Sequence, residues 1–158
     1  DTPYELVYMA KPSEQLLDFA RKHAKRNGRL LTVISTPNTI KKINCPEYIG
    51  TKTPEEFVAL VHHADFVLTN SFHGIAFSLI FHRQFYVMLN SAAVSKTNTR
   101  IESILQLTDL TDRVVDIETA EVEPIDYNKV DSTLEKHRER SIQYIKDVLN
   151  DIDKDNWQ

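Results

Sequence analysis

Short runs of β-branched and aromatic residues alternate along this chain with longer amphipathic stretches, and few folds satisfy that alternation. A strand joined to the next by a helix-length connection pairs in parallel, because a tight hairpin cannot return the chain in the same direction. Tyr4-Glu5-Leu6-Val7-Tyr8-Met9 reads as the first strand, Leu30 to Ser35 as the second, Phe66 to Thr69 as the third and Phe85 to Leu89 as the fourth. Between them, Ser13 to Asn27 keeps Leu16, Leu17, Phe19, Ala20 and Ala24 on one side of a helix closed by Gly28. Thr53-Pro54-Glu55-Glu56 is a helix start with a capping box, and the helix it opens buries Phe57, Leu60 and Val61.

The helix expected from Ser71 to His82 carries Phe72, Ile75, Ala76, Phe77, Leu79, Ile80 and Phe81, apolar on nearly every face and therefore central. A polar loop over 90–98, a helix over 99–107, a further strand near Val114-Val115-Asp116-Ile117 and a closing helix over 131–150 complete the reading. Ile40 to Tyr48 is left between loop and short edge strand. On that last helix Leu134, Ile142, Ile145, Val148, Leu149 and Ile152 mark one docking stripe. The expected fold is a single three-layer, Rossmann-like α/β domain over residues 1–158. It has a mainly parallel sheet of five to six strands, helices on both faces and a long C-terminal helix.

Composition narrows function by exclusion. At 158 residues there is one core. A net charge of −4 offers no broad basic field to nucleic acid or an anionic membrane. The single cysteine, Cys45, permits neither an internal disulfide nor a Cys-rich metal site, and no His or carboxylate spacing suggests a metal. No apolar run approaches the roughly 20 residues of a membrane span. The opening Asp1-Thr2-Pro3 enters a strand almost at once, which reads as a domain cut from a longer chain.

In an open parallel sheet, ligands bind beyond the carboxyl ends of the strands. Those ends collect Lys11; Ser35, Thr36 and Asn38; Asn70, Ser71 and His73; and Asn90, Ser91, Lys96 and Arg100. The set is polar, mildly basic and poor in carboxylates, which suits a small anion. Its sharpest member is Asn70-Ser71-Phe72-His73-Gly74, where a buried strand passes straight into a buried helix. The orphan amides and positive end of that helix suit phosphate or carboxylate. Gly74 allows close approach of backbone or ligand. His73 can donate a hydrogen bond or exchange a proton near neutral pH. The same histidine is as compatible with a capping or core role, and three glycines in the whole chain build no P-loop or dinucleotide fingerprint. His62-His63 and His82-Arg83 fit helix ends, while His23 and His137 read as solvent-facing.

Pro54-Glu55-Glu56-Phe57, Ala64-Asp65-Phe66-Val67-Leu68-Thr69-Asn70-Ser71-Phe72-His73-Gly74 and Ala76-Phe77-Ser78 resemble the carboxyl-terminal part of polysaccharide pyruvyl transferases. The likeness continues through Arg100-Ile101, Leu105, Leu110 and Arg113 to Ile125-Asp126-Tyr127 and Arg140-Ser141 with Tyr144, so it spans roughly residues 54–150. The resemblance implies the C-terminal half of a two-domain, GT-B-like enzyme with its site between the halves. Such an enzyme transfers the enolpyruvyl group of phosphoenolpyruvate to sugar hydroxyls of surface polysaccharide precursors, usually leaving a pyruvate ketal. By that resemblance His73 is the catalytic residue; together with the strand-end reading, Asn70, Ser71, Phe72, Gly74, Asn90, Lys96 and Arg100 are expected to line the substrate. No cofactor is expected beyond phosphoenolpyruvate as donor, and the missing N-terminal half leaves the isolated chain inactive. The expected setting is cytoplasmic, with peripheral association at the inner membrane face through a lipid-linked acceptor. Some relatives carry Arg-Leu-His where this chain has Ser71-Phe72-His73, so one anion contact is absent unless Arg100 or Lys96 replaces it. A nucleotide-sugar-dependent glycosyltransferase domain and a non-catalytic sugar- or phosphate-binding module remain the alternatives.

Overall fold

The computed structural model describes residues 2–91, 98–116 and 122–155, with side chains as far as Asp151. Four strands, β1 (Tyr4–Met9), β2 (Leu30–Ser35), β3 (Phe66–Thr69) and β4 (Gln84–Val87), form one sheet in the order β2-β1-β3-β4. All pairings are parallel. Tyr4 stands opposite Leu30 and Met9 opposite Ser35, while Glu5 to Tyr8 run beside Phe66 to Thr69. The strand count is lower than expected, because each edge is extended by one bridging residue only: Tyr48 beside Val33 and Val114 beside Val87. On the first edge Thr36 caps a short helix, α2 (Pro37–Ile40), which carries the chain away from the sheet before Tyr48 returns. On the other, the 3-10 turn Thr111–Arg113 runs up to Val114, and Ile117 lies outside the described residues.

The strands alternate between two cores, as the pleat requires. Val7, Met9, Leu68, Tyr86 and Met88 pack with Leu16, Leu17 and Ala20 of α1 (Glu14–Arg26). Leu6, Val67, Phe85 and Val87 face the opposite way. They pack against α3 (Pro54–His63), α4 (Phe72–Ile80), α5 (Asn98–Leu107) and the first turns of α6 (Tyr127–Asp155). Helix starts follow their capping chemistry. Ser13 accepts from the Leu16 amide, and Thr53 and Glu56 close the capping box at α3. α6 begins a turn earlier than its periodicity suggested, because the Asp126 carboxylate accepts the Asn128 amide at 3.1 Å. The Tyr127 hydroxyl donates to the Arg83 carbonyl, its ring stacks on His82, and burial pushes its pKa well up. The apolar α4 is not enclosed all round, since Ile80 is 65% exposed.

One expectation is corrected. His23 is buried, because it continues the Leu16–Ala20 stripe of α1 onto the sheet. Its Nδ1 lies 2.8 Å from a carboxylate oxygen of Glu5, a fully buried residue of β1, and Arg29 approaches the same carboxylate at 3.2 Å. Phe66 and Tyr86 flank the imidazole, with ring centroids 4.6 and 5.6 Å away. A hydrogen-bonded cluster of ionisable side chains thus sits inside the α1 core, which hydrophobic patterning alone does not reveal.

At the β2 edge, Arg21 grips Glu47 with two hydrogen bonds of 2.7 and 3.0 Å, holding that carboxyl below its usual range. The Glu47 carbonyl accepts the Val33 amide, so this clamp anchors the segment that carries Tyr48. Burial, then the hydrogen bond to Glu47, raises the neighbouring Cys45 thiol to about 11.

Candidate functional site

The chain leaves β1 through α1 toward β2 on one side, then returns to place β3 on the other. The carboxyl ends of β1 and β3 therefore flank the point where the winding reverses, the position at which open α/β sheets leave a crevice. Asn70 spans it. Its Oδ1 accepts the Ala10 amide at 2.8 Å and, more weakly, the Lys11 amide at 3.5 Å, while its Nδ2 donates to the Lys11 carbonyl at 2.8 Å. Asn70 is buried, and its side chain ties the β1–α1 turn to the β3–α4 turn, holding both rims of the crevice.

The entry into α4 is set by Thr69. Its hydroxyl donates to the Tyr8 carbonyl at 2.7 Å and accepts the Ser71 amide at 3.0 Å. The helix then turns so tightly over this side chain that a Cβ on Gly74 would sit 2.4 Å from Thr69 Oγ1 and 2.8 Å from its Cβ. The close approach that Gly74 permits is thus between helix and strand. Gly74→Ala is expected to lower stability by about 1–3 kcal/mol through overpacking. Urea unfolding measures it, and a loss below a few tenths would contradict the packing described here.

Ser71 is the N-cap of α4, yet its side chain makes no capping hydrogen bond, although the residue is only 5% exposed. The Ile75 amide takes the Ser71 carbonyl. The amides of Phe72, His73 and Gly74 have no partner among the described residues, as the first turn of a helix leaves them. No acidic residue lies in the first turn of α4 or of α5. His73 is exposed, and among the described residues its ring meets that of Phe72, at 5.9 Å between centroids.

α5 brings Arg100 to the same place. Its guanidinium carbon stands 5.5 Å from the centre of the Phe72 ring, a cation–π contact that offsets placing a cation at a helix start. Phe72 thereby contacts both an imidazole and a guanidinium at the start of α4. Asn90 donates through Nδ2 to the Asn70 carbonyl at 3.2 Å. Asn98, which reads from sequence as the end of a loop, returns a hydrogen bond to the Asn90 carbonyl at 2.9 Å and accepts the Asn90 amide at 3.1 Å. The Asn70-Asn90-Asn98 chain thus fixes the rim from behind. Its signal in sequence is only three asparagines at strand and loop ends.

The remaining residues of the expected set are more dispersed. Ser35 donates to the Met9 carbonyl, Thr36 caps α2, and Lys11, Asn38 and Ser91 are exposed. Lys96 lies outside the described residues. Two hollows lie away from the crevice. One of about 560 Å³, lined by Thr2, Pro3, Tyr4, His63 and Asp65, opens at the amino ends of the strands. Another, of about 490 Å³, lies against Val58, Ala59, His62 and Phe81.

No curated protein matches the chain. The model of one family, polysaccharide pyruvyl transferase, matches residues 3–91. That stretch takes in all four strands, the Asn70 tie and the whole of α4, including β1 and β2, which the residue-level resemblance did not use; α5 and α6 lie beyond it. With more than half its length inside the match, the chain belongs to the polysaccharide pyruvyl transferase family.

Proposed function

We propose that this chain is the carboxyl-terminal half of a two-domain pyruvyl transferase that moves pyruvate, as a ketal, from phosphoenolpyruvate to a sugar hydroxyl of a surface polysaccharide precursor. Family membership supports the reaction type. The observation that carries the donor assignment is the convergence of unpartnered α4 amides, an exposed imidazole and Arg100 around Phe72.

The proposed chemistry follows charge. C3 of the donor gains a proton, C2 becomes cationic, a sugar oxygen bonds to C2 and the C2–O bond to phosphate breaks. A second hydroxyl of the sugar then closes the ketal on C2. Of the two hydroxyl protons released, one balances the proton taken up at C3 and the other leaves with inorganic phosphate. Phosphate charge developing against the Phe72, His73 and Gly74 amides is met by fixed dipoles that need no reorganisation. His73 is placed to protonate or deprotonate at this step. Arg100 is assigned the donor carboxylate, supplying the guanidinium that Ser71 leaves out of the motif. The acceptor site and any second acid or base belong to the N-terminal half, so the isolated chain is expected to bind donor without turnover. Among the described residues no helix is long and apolar enough to cross a membrane, and a lipid-linked acceptor at the inner membrane face fits this reading.

Amide NMR tests the donor. Phosphoenolpyruvate is expected to shift Ser71 to Ile75, and Arg100→Ala to weaken that binding roughly tenfold, as loss of one charge-assisted contact implies. Saturation by a nucleotide sugar alone would replace this reading with a glycosyltransferase. Silence toward both would leave a fold without donor binding.

A further inference from the structure

We propose that the exposed part of α6 is a self-docking surface, which pairs antiparallel with the same segment of a second copy of this chain. At its start α6 is held to the body by Tyr127, Val130 and Leu134. From Glu135 to Asp151 every residue is exposed, a projecting length of about 25 Å. The face that carries the docked residues does not turn polar where the body stops. It continues as Ile142, Ile145, Val148 and Leu149, each between 39% and 56% exposed. Apolar side chains on a solvated helix at spacings of three and four residues form the narrow seam of a two-helix pairing.

Charge selects both occupant and direction. Continuing the spacing back along the seam places Arg138 in line with Ile142, Ile145 and Leu149. A parallel pair would stack Arg138 on its own copy. An antiparallel pair, with its two-fold axis beside Gln143 and Tyr144, sets Ile142 against the second copy's Ile145. It also lays the Arg138 stem along the second copy's Leu149, with its head toward the electronegative end of that helix. The flanking positions agree. Glu139 on one copy then meets Lys146 on the other, and symmetry repeats the pair. The parallel arrangement gives neither residue an opposite charge.

The seam is small beside the roughly 800 Å² per partner of a standard interface, so a weak dimer is expected, with a dissociation constant of about 10–500 μM. Sedimentation equilibrium of the whole chain from about 5 to about 500 μM should show the mass rising from 18.3 kDa toward twice that value. Ile145→Asp should hold it at the monomer across the range. Thermal unfolding of the dilute chain should be unchanged, since Ile145 is exposed and belongs to neither core among the described residues. Glu139→Lys and Lys146→Glu should each weaken association by about threefold to tenfold, and the double variant should restore it. A monomer at every concentration would overturn the proposal, as would a dimer indifferent to Ile145→Asp. Single charge reversals that the double variant fails to rescue would overturn the antiparallel register.

Discussion

His73→Ala in the two-domain transferase proposed above is expected to lower kcat by about 10²–10⁴, the range for loss of a positioned acid or base, and to leave stability unchanged. The second half of that expectation comes directly from the structure. The imidazole is exposed, accepts and donates no hydrogen bond among the described residues, and contributes one ring contact with Phe72. A core or capping role would cost stability on truncation, whereas a surface side chain away from such features changes it by about 0.5 kcal/mol or less. Two further readouts separate proton transfer from hydrogen bonding alone. His73→Gln keeps a donor without a titratable ring. It should bind phosphoenolpyruvate nearly as well as the parent while losing turnover and flattening one limb of the kcat–pH profile. Turnover within threefold of the parent in His73→Ala would remove the residue from the chemistry. A large fall in melting temperature would return it to the core.

The largest stability effect is expected far from the crevice, at His23. Glu5 is 0% exposed, and its carboxylate is met by His23 at 2.8 Å and by Arg29 at 3.2 Å. Truncating one partner of a buried pair leaves the other desolvated without compensation, at about 3–5 kcal/mol. His23→Ala should lose stability of that order by urea unfolding, with further loss from the space opened between Phe66 and Tyr86. Arg29→Ala should cost less, because that side chain is 29% exposed and water can replace part of its role. Glu5→Leu combined with His23→Leu should recover most of the loss, since apolar residues of similar volume often match a buried pair. A His23→Ala loss below about 1 kcal/mol would show that Glu5 finds water or another partner in the folded state.

These two histidines show where sequence reading succeeds and where it fails. His73 stands at the junction of two strongly patterned elements, a four-residue apolar strand and an apolar helix, so its place at a helix start follows from local periodicity. His23 lies on a charged helix, and only the partner opposite decides its environment. That partner, Glu5, is a carboxylate inside an otherwise apolar strand, eighteen residues earlier and on the neighbouring layer. Nothing within one helical turn announces it. Gly74 is a similar case. The sequence suggested close approach without saying of what, and the answer, Thr69, depends on the angle at which α4 leaves β3.

Local chemistry in the chain was enough to determine the α/β alternation, the parallel pairing, the capping box at Thr53 and the strand-to-helix turn at residues 69–74. Each is a matter of period or of hydrogen bonding within a few residues. Tertiary structure alone decided the order β2-β1-β3-β4, the retreat of both sheet edges to single bridges, the burial of His23 on Glu5, and the seating of Arg100 over Phe72. Those outcomes rest on contacts between segments far apart in the chain. Their free energy comes from burial, desolvation and charge pairing that exist only after the layers close, and a one-dimensional pattern carries no record of them.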